Sequence, residues 1–215
     1  MKVVVAGGTG LIGSFLLKIL ESSSEIETVR ALTRREQRSQ GMIDWRTTDF
    51  ENTDQLEKAC QGAKLAFCCL GTTIRKAGSQ KAFIKVDHEF VIAFARAAKS
   101  EGIKSFGVVS AIGSNPESGI FYNRVKGQME KELSQIGFES LTIMHPSILL
   151  GPRKEFRFGE KIGSFFMRLF TPLMNGSFRK YRPIHVREVA KGMFYHVKKA
   201  RPGVNHIEYD DMMNT

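Results

Sequence analysis

The stretch Val3-Val4-Val5-Ala6-Gly7-Gly8-Thr9-Gly10-Leu11-Ile12-Gly13 decides the fold. An apolar, β-branched run with no polar interruption suits a strand buried on both faces of a parallel sheet. It passes directly into Gly7-x-x-Gly10-x-x-Gly13. In that spacing the first glycine permits a tight turn, the second lets the backbone approach a pyrophosphate, and the third lets the following helix pack closely on the strand. Leu11, Ile12, Phe15, Leu16 and Ile19 then recur at helical spacing, and the start of that helix offers backbone amides to an anion.

Outward from this turn the same alternation continues. Strand-like runs stand at Glu27 to Thr33, Leu65 to Leu70, Ser105 to Ser110 and Ser140 to His145, each followed by a polar or glycine-containing loop and then helical patterning. A long helix is predicted from about Ser79 to Ser100, with Phe83, Val86, Phe90, Phe94 and Ala97 on one face. A second should hold Tyr122 to Gln135, stopped by Gly137, and a third Arg187 to Lys199. Strands alternating with helices predict an α/β fold, a doubly wound parallel sheet of Rossmann type in three layers.

At 215 residues, 42% of them apolar, the chain suffices for one full core, so residues 1–215 are expected to form a single nucleotide-binding domain. Between Gly151 and Arg182 the repeat lapses. That stretch carries Arg153, Lys154, Arg157, Phe165, Phe166, Arg168 and Phe170, and 151–182 is expected to be an irregular insertion on the substrate side of the sheet. The N-terminal apolar run is too short for a signal peptide or membrane span, which points to a cytoplasmic protein with no transmembrane segment. Cys60, Cys68 and Cys69 have neither metal-ligand spacing nor the even count of a disulfide framework, and read as reduced, buried thiols.

Lys and Arg number 32 against 22 Asp and Glu, a net charge of +10 that attracts polyanions without choosing among them. No nucleic-acid-binding motif accompanies the charge, so nucleic acid is not the expected partner. The second strand ends Thr33-Arg34-Arg35, where a site selective for NAD would set an acidic residue against the adenosine ribose hydroxyls. Two guanidiniums there suit a 2′-phosphate, and the expected cofactor is NADP(H).

Tyr122-Asn123-Arg124-Val125-Lys126 sets Tyr122 and Lys126 four residues apart on one helix face, about 5–6 Å between Cβ atoms. A cation at that spacing favours the phenolate over the phenol, which lets a tyrosine exchange protons near neutrality. Ser110 ends a strand whose loop opens at the carboxyl edge of the sheet, within reach of the same substrate oxygen. His88, Trp45 and His145 have structural explanations: an exposed helix position, cover for a sheet edge, and a buried strand end before Pro146. None has a metal partner at ligand spacing, and no metal is expected.

Taken together, the glycine turn, Thr33-Arg34-Arg35, Asp49-Phe50, Phe67-Cys68-Cys69-Leu70-Gly71-Thr72-Thr73, Ser110 and Tyr122-x-x-x-Lys126 resemble the atypical or extended short-chain dehydrogenase/reductase superfamily over nearly the whole chain. The runs FCCLGTT, VVSAIGSN, FYNRVKG and SILLGPR look most like its Tat-interacting-protein oxidoreductase-like branch and small bacterial nucleoside-diphosphate-sugar epimerase-like relatives. The resemblance implies that Gly7, Thr9, Gly10, Leu11 and Ile12 hold the pyrophosphate and Arg34 and Arg35 the 2′-phosphate. It implies further that Asp49 and Phe50 flank the adenine, and that Leu70, Gly71 and Thr72 pass beneath the adenosine ribose and phosphates. Pro146, Ser147 and Ile148 would sit beside the nicotinamide, with Lys126 bridging its ribose hydroxyls.

Two features depart from the family pattern. Asp87 stands where many active relatives place an asparagine that holds a proton-relay water, and only about sixty residues follow Gly151, little wall for a nucleotide sugar. Three readings follow from the resemblance. In the first, an oxidoreductase exchanges hydride between NADPH and a small carbonyl or alcohol, with Tyr122, Ser110 and Lys126 as its catalytic group. In the second, a weakly catalytic NADPH-bound sensor presents its basic 151–182 region to a protein partner. The third is epimerase or dehydratase chemistry on a nucleotide sugar.

Overall fold

The computed structural model describes residues 1–151 and 176–215. Seven strands form one sheet: β1 (Lys2–Ala6), β2 (Thr28–Thr33), β3 (Ile43–Thr47), β4 (Leu65–Cys68), β5 (Ser105–Val109), β6 (Ser140–Met144) and β9 (Gly203–Ile207). Their order is β3-β2-β1-β4-β5-β6-β9 and every neighbouring pair is parallel. The chain order reverses between β1 and β4, the kind of switch point at which doubly wound sheets open a ligand crevice.

Alternation along β1 explains the two-sided burial. Val3 and Val5 join one apolar cluster with Leu16 and Leu20 of α1 (Leu11–Glu21) and with Met193 and Val197 of α7 (Val186–Lys199). Val4 and Ala6 join the other, with Leu56 of α2 (Thr53–Cys60), Phe94 of α5 (Phe90–Ser100) and Met129 and Leu133 of α6 (Phe121–Gln135). Both faces are covered, so the expected three-layer, doubly wound architecture is the observed one. Phe106 of β5 anchors the second cluster between Phe94, centroids 5.6 Å apart, and Phe138 at 4.9 Å.

The strands at the two sheet edges escaped the sequence reading. β3 carries Asp44 and Arg46 and β9 carries Asn205 and His206, because an edge strand is wetted and loses the apolar run that marks the central ones. Trp45 lies on β3 as edge cover, as expected.

The expected long helix is two helices, α4 (Gln80–Ile84) and α5, fused through one π-helical turn at Lys85–Glu89. Ser79 caps the run by accepting the Ala82 amide at 3.1 Å. A short α3 (Ile74–Ala77) precedes it. His88, expected to be exposed, is half-buried and meets Glu132 at 3.1 Å, because α6 packs across the wide turn.

After β6 the chain forms β7 (Leu149–Leu150), which pairs with β8 (Ile184–His185) in a separate parallel ladder. The segment between them therefore leaves and returns at neighbouring points. Arg153, Lys154, Arg157, Phe165, Phe166, Arg168 and Phe170 lie outside the described residues, and of the 151–182 stretch Gly151 and the 3₁₀ turn Gly176–Tyr181 with Arg182 are described. The chain ends in α8 (Tyr209–Met213).

Gly107 marks the tightest approach of β5 to α7: a Cβ there would lie 2.3 Å from Val197 Cγ2 and 3.3 Å from Met193 Cε. A Gly107→Ala variant is expected to lose about 1–3 kcal/mol of stability through overpacking, read as a lower urea midpoint with an unchanged m-value. An unshifted midpoint would mean that α7 is not seated against β5 in this way.

Candidate dinucleotide site and the Asp87–Lys126 pair

The glycine turn adopts the conformation its spacing predicts. Gly7 has φ +81°, a left-handed value that disfavours side chains, and a Cβ on it would stand 2.5 Å from the Cys69 carbonyl carbon. A Cβ on Gly13 would meet the Gly7 carbonyl oxygen at 2.2 Å. The turn closes through the Gly10 amide, which donates to the Gly7 carbonyl at 2.9 Å. Gly10 also caps α1 with no side-chain hydrogen bond, and the first turn of α1 holds no acidic residue. Its unshared amides and the positive end of the helix dipole thus fit a pyrophosphate. Thr9 is exposed, Gly10 and Leu11 are half-buried, and Ile12 points into the core.

At the end of β2, Thr33 Oγ1 accepts the Arg35 amide at 3.2 Å and fixes the bend. Arg34 and Arg35 are exposed, and neither has an ionic partner among the described residues. Asp49 is exposed, whereas the Phe50 ring is buried and stacks on Phe90 at 5.5 Å. What Phe50 leaves for an adenine is its backbone. Leu70, Gly71 and Thr72 leave β4 along the rim of the crevice, half-buried or exposed. Pro146 is buried, Ser147 donates its hydroxyl to the Arg182 carbonyl, and Ile148 is exposed.

Beside this rim lies a buried ion pair. Lys126 Nζ stands 2.9 Å from Asp87 Oδ1, with 3% and 1% of the two side chains exposed. The π-turn brings Asp87 to α6, and its second oxygen accepts the Thr72 amide at 2.8 Å. Burial by itself would lower the pKa of Lys126. The Asp87 carboxylate, by charge and hydrogen bond, with a further contribution from Tyr122, outweighs burial and holds it above the ordinary lysine value. The lysine therefore stays a cation although water does not reach it.

Tyr122 sits one turn before Lys126 on α6, half-buried, its ring against Phe83 with centroids 5.6 Å apart. Its hydroxyl has no hydrogen-bond partner among the described residues. Ser110 follows β5 at the carboxyl edge, as expected, but its hydroxyl donates to Glu130, one turn beyond Lys126 on α6. Ser114 Oγ lies 3.0 Å from the same hydroxyl. Glu130 also takes His145 Nε2 at 3.0 Å. Burial raises the pKa of Glu130, but its hydrogen bond and charge contact with His145 and the bonds from Ser110 and Ser114 bring it below the ordinary carboxylate value.

The structure thus gathers Ser110, Tyr122 and Lys126 at one end of α6 and adds two residues without an expected role in the cluster, Glu130 and His145. Glu130 had a legible signal, since Tyr122, Lys126 and Glu130 recur at four-residue spacing on a single helix face. The three cysteines are free; burial pushes the Cys60 and Cys68 thiols up to about 12 and raises Cys69 as well. They are inert thiols, as their apolar settings predict.

Comparison with known proteins agrees with this geometry. The NAD(P)H-binding family matches residues 7–165. Protein HTATIP2 of Rattus norvegicus is 34% identical over 169 residues, 77% of this chain and 69% of that protein. Protein FMP52, mitochondrial, of Debaryomyces hansenii is 31% identical over 197 residues, 89% of this chain and 85% of the relative.

Among solved structures, MoeE5 in complex with UDP-glucose and NAD superposes with a TM-score of 0.74 at 14% identity, over 100% of this chain and 80% of that one. UDP-N-acetylglucosamine 4-epimerase from Bacillus cereus gives 0.70 at 16% identity, over 97% and 78%. At such identities these two establish the shared Rossmann-type fold. No helix among the described residues is long and apolar enough to cross a membrane. On its glycine turn, its sheet and these matches, the chain belongs to the NAD(P)H-binding family of the short-chain dehydrogenase/reductase superfamily, in the branch of HTATIP2 and FMP52.

Proposed function

We propose that the protein is an NADP(H)-dependent oxidoreductase acting on a small carbonyl or alcohol. The observation that carries the reading is a buried, charged Lys126 one helical turn from a Tyr122 whose hydroxyl is unengaged among the described residues. A bound nicotinamide supplies hydride donation or acceptance, and the chain's own groups handle the proton and the oxygen.

Tyr122 gives its phenolic proton to the carbonyl oxygen, or takes it from the alcohol in the reverse direction. The Lys126 charge stabilises the phenolate that remains. Ser110 steadies the reacting oxygen only when its proton turns away from Glu130, so the Glu130 bond sets a cost on that step. Lys126 reaches a ribose hydroxyl by sharing itself with Asp87 or leaving it. Arg34 and Arg35 select the 2′-phosphate through charge-assisted bonds, since neither guanidinium has an ionic partner among the described residues.

The expected location is cytoplasmic. The FMP52 relatives are named mitochondrial, and the chemistry is the same in either compartment.

Calorimetry is expected to give NADPH an affinity about ten- to a hundredfold above that of NADH, with the preference removed in Arg34→Ala. Comparable affinities in the wild type would remove NADP(H) selectivity. Across a panel of small aldehydes and ketones, Tyr122→Phe should lose about 10²–10⁴ in kcat while NADPH affinity holds. Full turnover by that variant would end the assignment of Tyr122. Tight NADPH binding with no turnover of any substrate class would favour the sensor reading instead, and conversion of a nucleotide sugar without net NADPH consumption the epimerase reading.

The ion pair gives a separate prediction. Asp87→Ala is expected to cost about 3–5 kcal/mol in urea denaturation, since it strands a buried ammonium. The double variant Asp87→Asn/Lys126→Met should cost clearly less than the sum of its single changes, because it removes both charges together. Strict additivity in that cycle would mean that the two groups do not pair in solution.

A further inference from the structure

We propose that Glu130, His145 and His206 form a binding site for one zinc-class divalent transition-metal ion. One donor atom from each, a carboxylate oxygen and two ring nitrogens, all lie within 4.8 Å of one another. They come from three separate elements: α6, the residue after β6, and the edge strand β9. Spacing along the chain concealed them, because parallel pairing of β6 with β9 brings together residues some sixty positions apart.

The register sets the arrangement. His206 aligns with Ile143, two residues before His145, and the His145 amide donates to the Ile207 carbonyl at 2.8 Å. Alternate residues of a strand share a face, so both imidazoles lie on the α6 side of the sheet. Their ring centroids are 5.1 Å apart at 41°.

A Glu–His hydrogen bond alone accounts for a buried carboxylate beside His145. It leaves His206 unexplained: this ring is brought alongside, yet its nitrogens have no hydrogen-bond partner among the described residues. Two imidazoles and one carboxylate with an open fourth position are the donor set of many zinc sites. Nitrogen donors turn away magnesium and calcium, which prefer all-oxygen shells.

The distances are close to those needed. Bonds of about 2.0–2.2 Å in a tetrahedron place donors about 3.3–3.5 Å apart. Glu130 and His145 already stand at 3.0 Å, and the remaining closure, at most about 1.5 Å from the 4.8 Å bound, falls to His206, an exposed side chain. That exposure also gives the ion its route from solvent. Ser110 donates to the Glu130 oxygen that His145 contacts, so it supplies an outer-shell bond that orients the carboxylate. An occupied site would tie the edge strand to α6. The metal site itself stands whether or not the oxidoreductase reading does.

The test uses the full chain without an affinity tag, stripped by chelator and then titrated with Co²⁺ by absorption and with Zn²⁺ by calorimetry. The wild type should bind one equivalent, with tetrahedral cobalt bands and no thiolate charge-transfer band. Excess Zn²⁺ should raise Tm by roughly 5 °C. Loss of an outer-shell partner costs about ten- to a hundredfold in metal affinity, so His206→Ala, an exposed change expected to leave the circular dichroism spectrum unaltered, should weaken binding by more than that and abolish the Tm shift. Glu130→Gln and His145→Ala should do the same. Absence of binding by the wild type, or equal binding by the wild type and His206→Ala, would overturn the proposal.

Discussion

The Asp87–Lys126 contact is the one ion pair among those described in which both side chains are almost fully buried, and the neighbouring structure is arranged around it. A buried pair recovers the desolvation of its charges only if the remaining hydrogen-bonding positions are also filled. Here the second Asp87 oxygen takes the Thr72 amide, so a single carboxylate joins the turn between α4 and α5, the loop leaving β4, and α6. The π-turn at Lys85–Glu89 is the local cost: it widens the helix by one residue where Asp87 must reach inward, a use to which such turns are often put at functional sites.

From that fixed point the rest of α6 falls into place. Its inward side carries Tyr122, Lys126 and Glu130 in successive turns, each with a different environment. Tyr122 is half-buried with its hydroxyl unengaged among the described residues, Lys126 is a cation paired with Asp87, and the Glu130 carboxylate is held by Ser110 and His145. Met129 and Leu133 fall beside and between these positions on the same side of the helix and join the core. One side of the helix therefore both packs the sheet and carries three ionisable groups.

The central fold was readable because β1, β4, β5 and β6 are buried on both faces and their apolar runs show it, while the glycine turn requires positions that tolerate no Cβ. The edge strands β3 and β9 were not, since half of each is wet. The same limit applied to the site. Tyr122 and Lys126 could be found because they lie one turn apart on one helix. The Glu130, His145 and His206 group could not, because strand pairing across the sheet is invisible to local spacing. His88 was misplaced for a related reason: helical periodicity gives the face of α4–α5, and the neighbour covering that face is a tertiary fact.

The two ends of the dinucleotide crevice differ in readiness, and this bears on what the fold can do. At the phosphate end, the amides opening α1 have no side-chain cap and Arg34 and Arg35 have no ionic partner among the described residues, so an anion meets groups already oriented and unspent. At the other end Lys126 is held by Asp87, and Ser110 by Glu130. Under the proposed oxidoreductase reading, binding energy gained from the phosphates is what would exchange those internal bonds for bonds to a reacting oxygen. On that reading, the Tyr122 hydroxyl, unengaged among the described residues beside a buried cation, is the group set to move the proton.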